Sequence, residues 1–291
     1  MYNQISANKR NSLFILFLFF IIVIAIGYFL AYVYDSPGLL IIAVIVSVIQ
    51  ALVAYYQSDK IALAVSGAHE AKRSDFTELH RLIENLAISS GLPKPKIYVI
   101  NDQAPNAFAT GRDPKNASIA VTTGLLERLN KTELQGVLAH ELSHIGNYDI
   151  RLMTIVVVLV GVIALISDWG LRTFFWRDRD SREGSGYLVL IALALYILAP
   201  ISALLIQLAI SRKREYLADA TGSLMTRYPE GLASALEKIS QYKKPMARQN
   251  RATAHLYISE PSGQKDQSWL VTAFSTHPAI KDRVNRLRKM L

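Results

Sequence analysis

The sequence predicts an α+β domain interrupted by membrane-spanning helices, and three observations indicate this fold class. The chain of 291 residues is 51% hydrophobic with a mean hydropathy of +0.23, which is more apolar than one compact soluble core buries. The apolar residues are concentrated in four long runs. The segments between the runs show helix-like and strand-like patterns in turn. We therefore expect about four transmembrane helices, arranged in two hairpins, combined with a small mixed domain.

The four apolar runs are the candidate membrane spans. A spanning helix needs about 20 apolar residues; the first, second and fourth runs reach that length, whereas the shorter third run also fits a buried core helix. The runs cover residues 11–34, 36–58, 152–167 and 187–210. They divide the chain into an N-terminal hairpin (1–58), the first part of a folded domain (59–151), a second hairpin (152–210) and the second part of that domain (211–291).

Basic residues near the ends of the runs predict the orientation. They precede the first run and follow the second and fourth runs: Lys9, Arg10, Lys60, Lys72, Arg73, Arg212, Lys213 and Arg214. This pattern places the N-terminus and both parts of the domain on the cytoplasmic side. The loop after the third run is also rich in arginine, so a shallow or re-entrant second hairpin is an alternative. The net charge of +9 fits attraction to anionic lipid, and no basic patch interleaved with aromatic residues indicates nucleic-acid binding.

Shorter patterns predict the elements of the folded domain. Helices are expected over 75–87, 211–227, 231–243 and 278–290, and strands over 96–101, 106–110 and 118–123. A further helix is expected to begin with Thr132 as its N-cap and Gln135 as the reciprocal capping-box residue. The order of helix, small sheet and helix is typical of an α+β arrangement.

This last helix carries the motif that predicts chemistry. His140-Glu141-Leu142-Ser143-His144 fits the pattern H-E-x-x-H. Residues four apart lie on one helical face, so the two imidazoles can bind one metal ion. Glu141 lies beside the metal position, where a general base for the activation of water is needed. Because the chain has no cysteine, further ligands must come from His, Asp, Glu or water.

A zinc site of this kind needs a third protein ligand, and Glu215 is the strongest candidate. Asp219 lies four residues on, shares the face of Glu215 and can accept a hydrogen bond from a ligand histidine. An ordinary charged surface helix with ion pairs four residues apart explains both residues equally well. Two membrane crossings between the motif and Glu215 return the chain to the same side, so the three side chains are able to meet.

Five sequence blocks occur in a recognisable order. They are Asn106-Ala107-Phe108-Ala109-Thr110-Gly111, the motif from His140 to His144 with Asn147 and Asp149, Arg214-Glu215-Tyr216-Leu217-Ala218-Asp219, Ala254-His255-Leu256, and Ser275-Thr276-His277-Pro278 with Arg283 and Leu287. In these blocks and in its four-run layout the chain resembles the HtpX-type bacterial membrane zinc endopeptidases, relatives of the CAAX prenyl proteases. The resemblance implies a zincin-like α+β metalloprotease domain combined with transmembrane helices, and one Zn²⁺ per chain.

The resemblance also implies roles for individual residues. Glu215 becomes the third zinc ligand, beside His140 and His144, and Asp219 supports a ligand histidine. His277 becomes a candidate stabiliser of the oxyanion, for which a packed or helix-capping histidine is an equal alternative, and Arg283 a structural or electrostatic support. An edge strand is implied that holds substrate in extended form, formed by Asn106, Ala107, Phe108, Ala109 and Thr110.

The implied function is an integral-membrane endopeptidase of the cell inner membrane that acts under stress in protein quality control. The implied partners are misfolded or damaged membrane proteins, the lipid bilayer, and either further copies of the chain or other membrane quality-control proteases. One alternative is a zinc-binding adaptor without catalysis, against which the intact Glu141 counts. Another is a narrow-specificity protease for lipidated CAAX-type peptides, for which four spans are few to enclose a large chamber.

Overall fold

A computed structural model describes residues 2–33, 35–177, 211–248, 250, 252–259 and 278–290, so the predicted fourth run lies outside the described residues. The helices are α1 (Tyr2–Val33), α2 (Pro37–Tyr56), α3 (Ser58–Ser66), α4 (Thr77–Ser90), α5 (Thr123–Arg128), α6 (Lys131–Gly146), α7 (Asp149–Arg177), α8 (Arg212–Thr226), α9 (Pro229–Gln241) and α10 (Ile280–Arg288). The strands are β1 (Ala68–Glu70), β2 (Lys96–Ile100), β3 (Ala107–Asp113) and β4 (Asn116–Thr122). The division of the chain into four segments stays a prediction.

The strands form one four-stranded sheet in the order β1-β2-β4-β3. β1 is antiparallel to β2, β2 is parallel to β4, and β3 is antiparallel to β4. Strand β3 therefore lies at an edge, as expected for the segment 106–110. The sequence did not predict β1, which has only three residues and is too short for an alternating pattern to show.

The sheet separates two hydrophobic cores, because successive residues of a strand point to opposite faces. On one face, Val99 and Ile119 pack with buried residues of α4, α6, α9 and α10. On the other face, Ile100 and Phe108 pack with α1, α3 and α7. The helix with the H-E-x-x-H motif and the long apolar helices thus lie on opposite sides of the same sheet.

Among the residues that the structure describes, one helix, Ile5–Phe29 within α1, has the length and composition to cross a membrane. Up to three spans result if two bent helix pairs each count as one: Leu40–Tyr56 with Ser58–Ser66, bent by 73°, and Lys131–Gly146 with Asp149–Ile163, bent by 83°. Large side chains of α1 and α2 such as Phe17 and Ile42 are exposed. Residues 152–160 of α7 are buried, as expected if this part of the third run is a core helix.

Helix α6 begins two residues earlier than predicted. Asn130 is the N-cap; its side chain accepts a hydrogen bond from the Glu133 backbone N–H (3.0 Å), and the Glu133 carboxylate accepts one from the Asn130 N–H (2.9 Å). The prediction of Thr132 and Gln135 as the capping box is therefore wrong. Glu133 is also hydrogen-bonded by two side chains of α9, and these tertiary contacts favour the earlier start.

Candidate active site

Helices α6 and α8 make their closest approach at a glycine. A Cβ atom on Gly222 would lie 2.9 Å from the backbone nitrogen of His140 and 3.1 Å from the carbonyl carbon of Ala139. Only a residue without a side chain allows the two backbones to lie this close. The approach brings the first two turns of α8, with Glu215 and Asp219, against the H-E-x-x-H motif of α6.

Three potential metal ligands converge at this crossing. The ligand atoms of His140, His144 and Glu215 all lie within 4.8 Å of one another. The two Nε2 atoms are 3.2 Å apart, and the Glu215 carboxylate oxygens lie 3.5 Å from His144 Nε2 and 3.8 Å from His140 Nε2. All three side chains are buried. Two imidazole nitrogens and one carboxylate oxygen form a donor set that suits a catalytic zinc ion.

Each histidine is held from behind by a carboxylate. His140 Nδ1 lies 2.9 Å from Asp219 Oδ1, and His144 Nδ1 lies 2.9 Å from Asp149 Oδ2. A histidine whose Nδ1–H donates to a carboxylate presents its Nε2 lone pair to a metal ion in a fixed direction. Both imidazoles are therefore oriented toward the point that Glu215 also faces.

Asp149 is the residue of this set to which the sequence assigned no role, although it occurs in one of the family blocks. It follows the end of α6, and the chain turns at Tyr148, which has a φ of 60°. Because the helix is interrupted by this turn, the separation of five residues between His144 and Asp149 does not predict whether the two side chains lie on the same face. The sequence signal that could have identified Asp149 is its position as the first residue of a new helix, directly after the ligand motif.

Arg283 joins the carboxylates of the site into one network. Its guanidinium forms a bidentate ion pair with Asp219, in which Nε lies 2.9 Å from Oδ2 and Nη2 lies 2.6 Å from Oδ1. Its Nη1 lies 3.6 Å from Glu215 Oε2. Arg283 is 0% exposed. Burial raises the pKa of Asp219, but the charges of Arg283 and His140 outweigh this and lower it to about 2. Asp219 therefore remains ionised and able to accept the His140 N–H.

Glu141 lies beside the ligand cluster rather than in it. Its side chain is buried and accepts a hydrogen bond from the backbone N–H of Ala109 in the edge strand β3. Burial raises the pKa of Glu141 to about 7, helped by the charge of Glu215 and opposed by His144 and Arg283. A carboxyl group with such a pKa exchanges protons readily near neutral pH, as a general acid–base group must.

The predicted substrate strand lies next to Glu141, but part of its outer edge already has partners. The Ala107 carbonyl accepts a hydrogen bond from the Ile258 N–H at 2.9 Å. The Asn106 side chain bonds both backbone groups of Ser259, at 2.8 and 3.2 Å. Phe108 points away, into the core that contains the apolar helices, and the Thr110 hydroxyl lies 3.0 Å from that of Thr154. Substrate binding by 106–110 stays a prediction.

The predicted oxyanion stabiliser, His277, lies outside the described residues, and its role stays a prediction. His80 and His255, which the sequence assigned no catalytic role, bond backbone carbonyls of Ala71 and Met153 at 2.8 and 3.0 Å. Both histidines thus have structural partners.

The helix crossing makes a testable prediction. In Gly222→Ala the new methyl group must push α8 away from α6, and overpacking of this kind costs about 1–3 kcal/mol. Because Glu215 moves with α8, we expect zinc to be lost to a chelator faster than from the wild type. The matched control is Gly161→Ala in α7, where nothing lies within 4 Å of the added Cβ and zinc release should be unchanged. Equal release from both variants and the wild type would contradict the role of the crossing.

A ligand triad of the form H-E-x-x-H plus a glutamate from a second helix, with a buried glutamate under an edge strand, defines the class of metalloproteases. The comparisons with known proteins agree. Residues 73–291 match peptidase family M48, and the chain belongs to this family. The protein is therefore a metalloprotease.

Similar proteins extend over the full length of the chain. The chain is 47% identical to "Protease HtpX homolog" of Caldanaerobacter subterraneus subsp. tengcongensis over 298 residues, which cover 100% of this chain and 98% of that relative. It is 46% identical to the protein so described from Tropheryma whipplei (strain Twist), with the same coverage. Among solved structures, the crystal structure of S. mikatae Ste24p matches 99% of this chain and 67% of its own, with a TM-score of 0.50 and 21% identity. This last likeness is one of fold.

Proposed function

We propose that this metalloprotease is an integral-membrane zinc endopeptidase that cleaves extended segments of misfolded or damaged membrane proteins. The observation that carries the proposal is the buried cluster of His140, His144 and Glu215, with Glu141 beside it under the edge strand β3. We place the active site on the cytoplasmic side of the cell inner membrane, following the basic residues at the ends of the apolar runs.

The donor set supports zinc as the metal. His140, His144 and Glu215 supply two nitrogen atoms and one oxygen atom, and three protein ligands leave a position open for water or substrate, as in catalytic zinc sites. When bound, the zinc ion supplies Lewis-acid activation of water and polarisation of the scissile carbonyl. Asp219 and Asp149 hold the two imidazoles in place and increase their basicity as ligands.

Glu141 moves the proton in this mechanism. Its carboxylate takes a proton from the attacking water, and the resulting carboxylic acid then donates that proton to the amide nitrogen that leaves. The buried position of Glu141 beside the ligands suits both steps, because the carboxyl group is close to the water that it deprotonates and to the nitrogen that it protonates. Its hydrogen bond to the Ala109 N–H fixes the carboxyl group between the metal ligands and the edge strand.

The edge strand and the apolar helices support the substrate class. An extended peptide added to β3 is held through main-chain hydrogen bonds, which show little sequence preference and therefore suit unfolded chains. The exposed apolar side chains of α1 and α2 lie on neighbouring helices, and contiguous exposed apolar surface of this kind is typical of membrane contact. We propose that these helices and the third and fourth runs anchor the domain in the bilayer, close to membrane-protein substrates.

The two alternatives have less support. A non-catalytic zinc adaptor has no use for a buried glutamate that is not a ligand, yet Glu141 is held in place beside the cluster. A protease restricted to lipidated peptides needs an enclosed apolar chamber beside the ligands. The described residues around the ligands instead form a polar network of Asp149, Asp219 and Arg283.

The test compares substrates and metal dependence in one preparation. The full-length protein in detergent, loaded with zinc, is incubated with a misfolded membrane protein and, in parallel, with a prenylated CAAX peptide. We expect cleavage of the misfolded protein at internal bonds, loss of cleavage after zinc is removed by a chelator, and recovery when zinc is restored. Cleavage of the prenylated peptide alone would establish the narrow-specificity alternative, and metal binding without cleavage of either would establish the adaptor.

A further inference from the structure

The first apolar helix carries a buried polar side chain that reaches toward the metal-ligand cluster. Asn8 of α1 is 2% exposed. Its Nδ2 donates hydrogen bonds to the Asn147 carbonyl at 2.9 Å and to Asp149 Oδ1 at 2.6 Å, and its Oδ1 accepts one from Arg214 Nη1 at 3.3 Å. Both amide hydrogens and the amide oxygen are thus used. Burying an amide is costly unless its polar atoms are hydrogen-bonded, and these three hydrogen bonds supply that compensation.

Asp149 links this amide to a metal ligand. Its Oδ1 accepts the hydrogen bond from Asn8, while its Oδ2 lies 2.9 Å from His144 Nδ1. One carboxylate therefore connects α1 with the imidazole. A carboxylate that is held at one oxygen cannot rotate freely, so its second oxygen keeps a fixed direction toward the histidine.

Asn8 also secures the two segments that meet at the site. The Asn147 carbonyl belongs to the C-terminal end of α6, where carbonyl groups lack partners within the helix, and the chain then turns by 83° into α7. Arg214, the other partner of Asn8, directly precedes Glu215 in α8. A single side chain of α1 thus contacts the residue that follows α6, the first residue of α7 and the first turn of α8.

We propose that Asn8 is a positioning residue, through which the N-terminal apolar helix holds Asp149 and thereby orients His144 for metal binding. The inference rests on the proposed zinc site. Its consequence is that the metal site reaches its full affinity only while α1 is docked against α7 and the turn between α6 and α7. The membrane anchor is then a structural part of the metal centre as well as an attachment.

The test measures zinc release from the full-length protein in detergent. A residue that hydrogen-bonds a metal-binding histidine contributes about 10–100-fold to metal affinity. Asn8 acts on His144 only through Asp149, so its contribution should be at the lower end of this range. We therefore expect Asn8→Ala to raise the dissociation constant for zinc about tenfold. Asn8→Leu, which keeps the branched shape of the side chain and removes both of its hydrogen-bonding groups, should show the same loss. The matched control is Ser12→Ala, one turn further along the same face, because Ser12 is equally buried and its hydroxyl bonds the Asn8 backbone carbonyl at 2.8 Å.

A double-variant cycle shows whether Asn8 acts through Asp149. Asp149→Ala should itself weaken zinc binding, and adding Asn8→Ala should then cause little further loss. Replacement of zinc by Co²⁺ gives a second readout, since its visible absorption reports ligand geometry; we expect an altered spectrum in Asn8→Leu and the wild-type spectrum in Ser12→Ala.

Three outcomes would overturn the inference. The first is unchanged zinc affinity and Co²⁺ spectrum in both Asn8 variants. The second is an equal loss of affinity in Ser12→Ala, which would indicate general loosening of α1. The third is a full tenfold effect of Asn8→Ala in the Asp149→Ala background. A wild-type protein that binds no zinc would instead contradict the proposed function itself, so the two failures are distinguishable.

Discussion

Glu141→Gln is expected to lower the rate of peptide-bond cleavage by about 10²–10⁴-fold, the range that a positioned general base contributes, while zinc remains bound. Glutamine has nearly the same shape as glutamate, and its amide oxygen can still accept the Ala109 N–H. It cannot take a proton from water at neutral pH. Because Glu141 is not among the three converging ligands, metal content should stay at the wild-type level.

The measurement is the cleavage rate of an unfolded protein substrate together with the zinc content of each preparation. Glu133→Gln is the matched control, since it makes the same substitution at another buried glutamate of α6. That glutamate caps the helix about two turns before His140 and is bonded to α9 rather than to the ligands, so the control should retain its cleavage rate. Wild-type cleavage by Glu141→Gln would remove it from the mechanism, and loss of zinc from this variant would assign it to the ligand set.

Arg283→Met is expected to destabilise the folded protein by about 3–5 kcal/mol, because removing one partner of a buried ion pair leaves an uncompensated charge in the interior. The charges left behind are those of Asp219 and Glu215, which Arg283 contacts at 2.6 and 3.6 Å. Methionine fills much of the same volume, so the loss reports the charge more than a cavity. The measurement is the unfolding of the detergent-solubilised protein in a denaturant series.

The same helix offers a matched control for this substitution. Arg288 of α10 also contacts two carboxylates, those of Glu230 and Glu237, at 2.9 and 2.8 Å. This arrangement is at the surface, where ion pairs contribute little to stability, so Arg288→Met should unfold nearly as the wild type does. Pairing Arg283→Met with Asp219→Asn should recover part of the loss, since one of the stranded charges is then removed. Equal stability of Arg283→Met and the wild type would contradict the prediction.

Local sequence patterns predicted those features of the fold that depend on the geometry of a single helix. The i, i+4 spacing of His140 and His144 places both imidazoles on one face of α6 whatever surrounds the helix. Glycine after an apolar periodic pattern is likewise a local signal for the end of a helix, and Gly91, which follows α4, adopts the left-handed conformation that ends it (φ 68°). The start of α6 shows the limit of this reasoning. Both Asn130–Glu133 and Thr132–Gln135 fit a capping box, and Ser234 and Lys238 of α9 stabilise Glu133 in the first of them, each at 2.7 Å.

Assignments that depend on contacts between distant segments were open in the sequence. Glu215 and Asp219 fitted a charged surface helix as well as a metal site. The structure excludes the surface helix, because the close approach at Gly222 buries both carboxylates against the histidines. For the third apolar run, the composition of residues 152–160 suits lipid and a protein core alike, and only the structure shows that these residues are buried against the sheet and α1.

By itself, the sequence determined the metalloprotease motif, the α+β character of the domain and the apolar excess in separate runs, because residue type and short-range periodicity encode these features. Only the tertiary structure decided that Asp149 supports His144, that Arg283 joins Asp219 to Glu215, and that Asn8 of the first apolar helix reaches the metal-ligand cluster. Asn8 and Asp149 are 141 residues apart along the chain. Their contact arises from the docking of α1 against α7, and no local pattern encodes which buried polar groups such docking brings within hydrogen-bond distance.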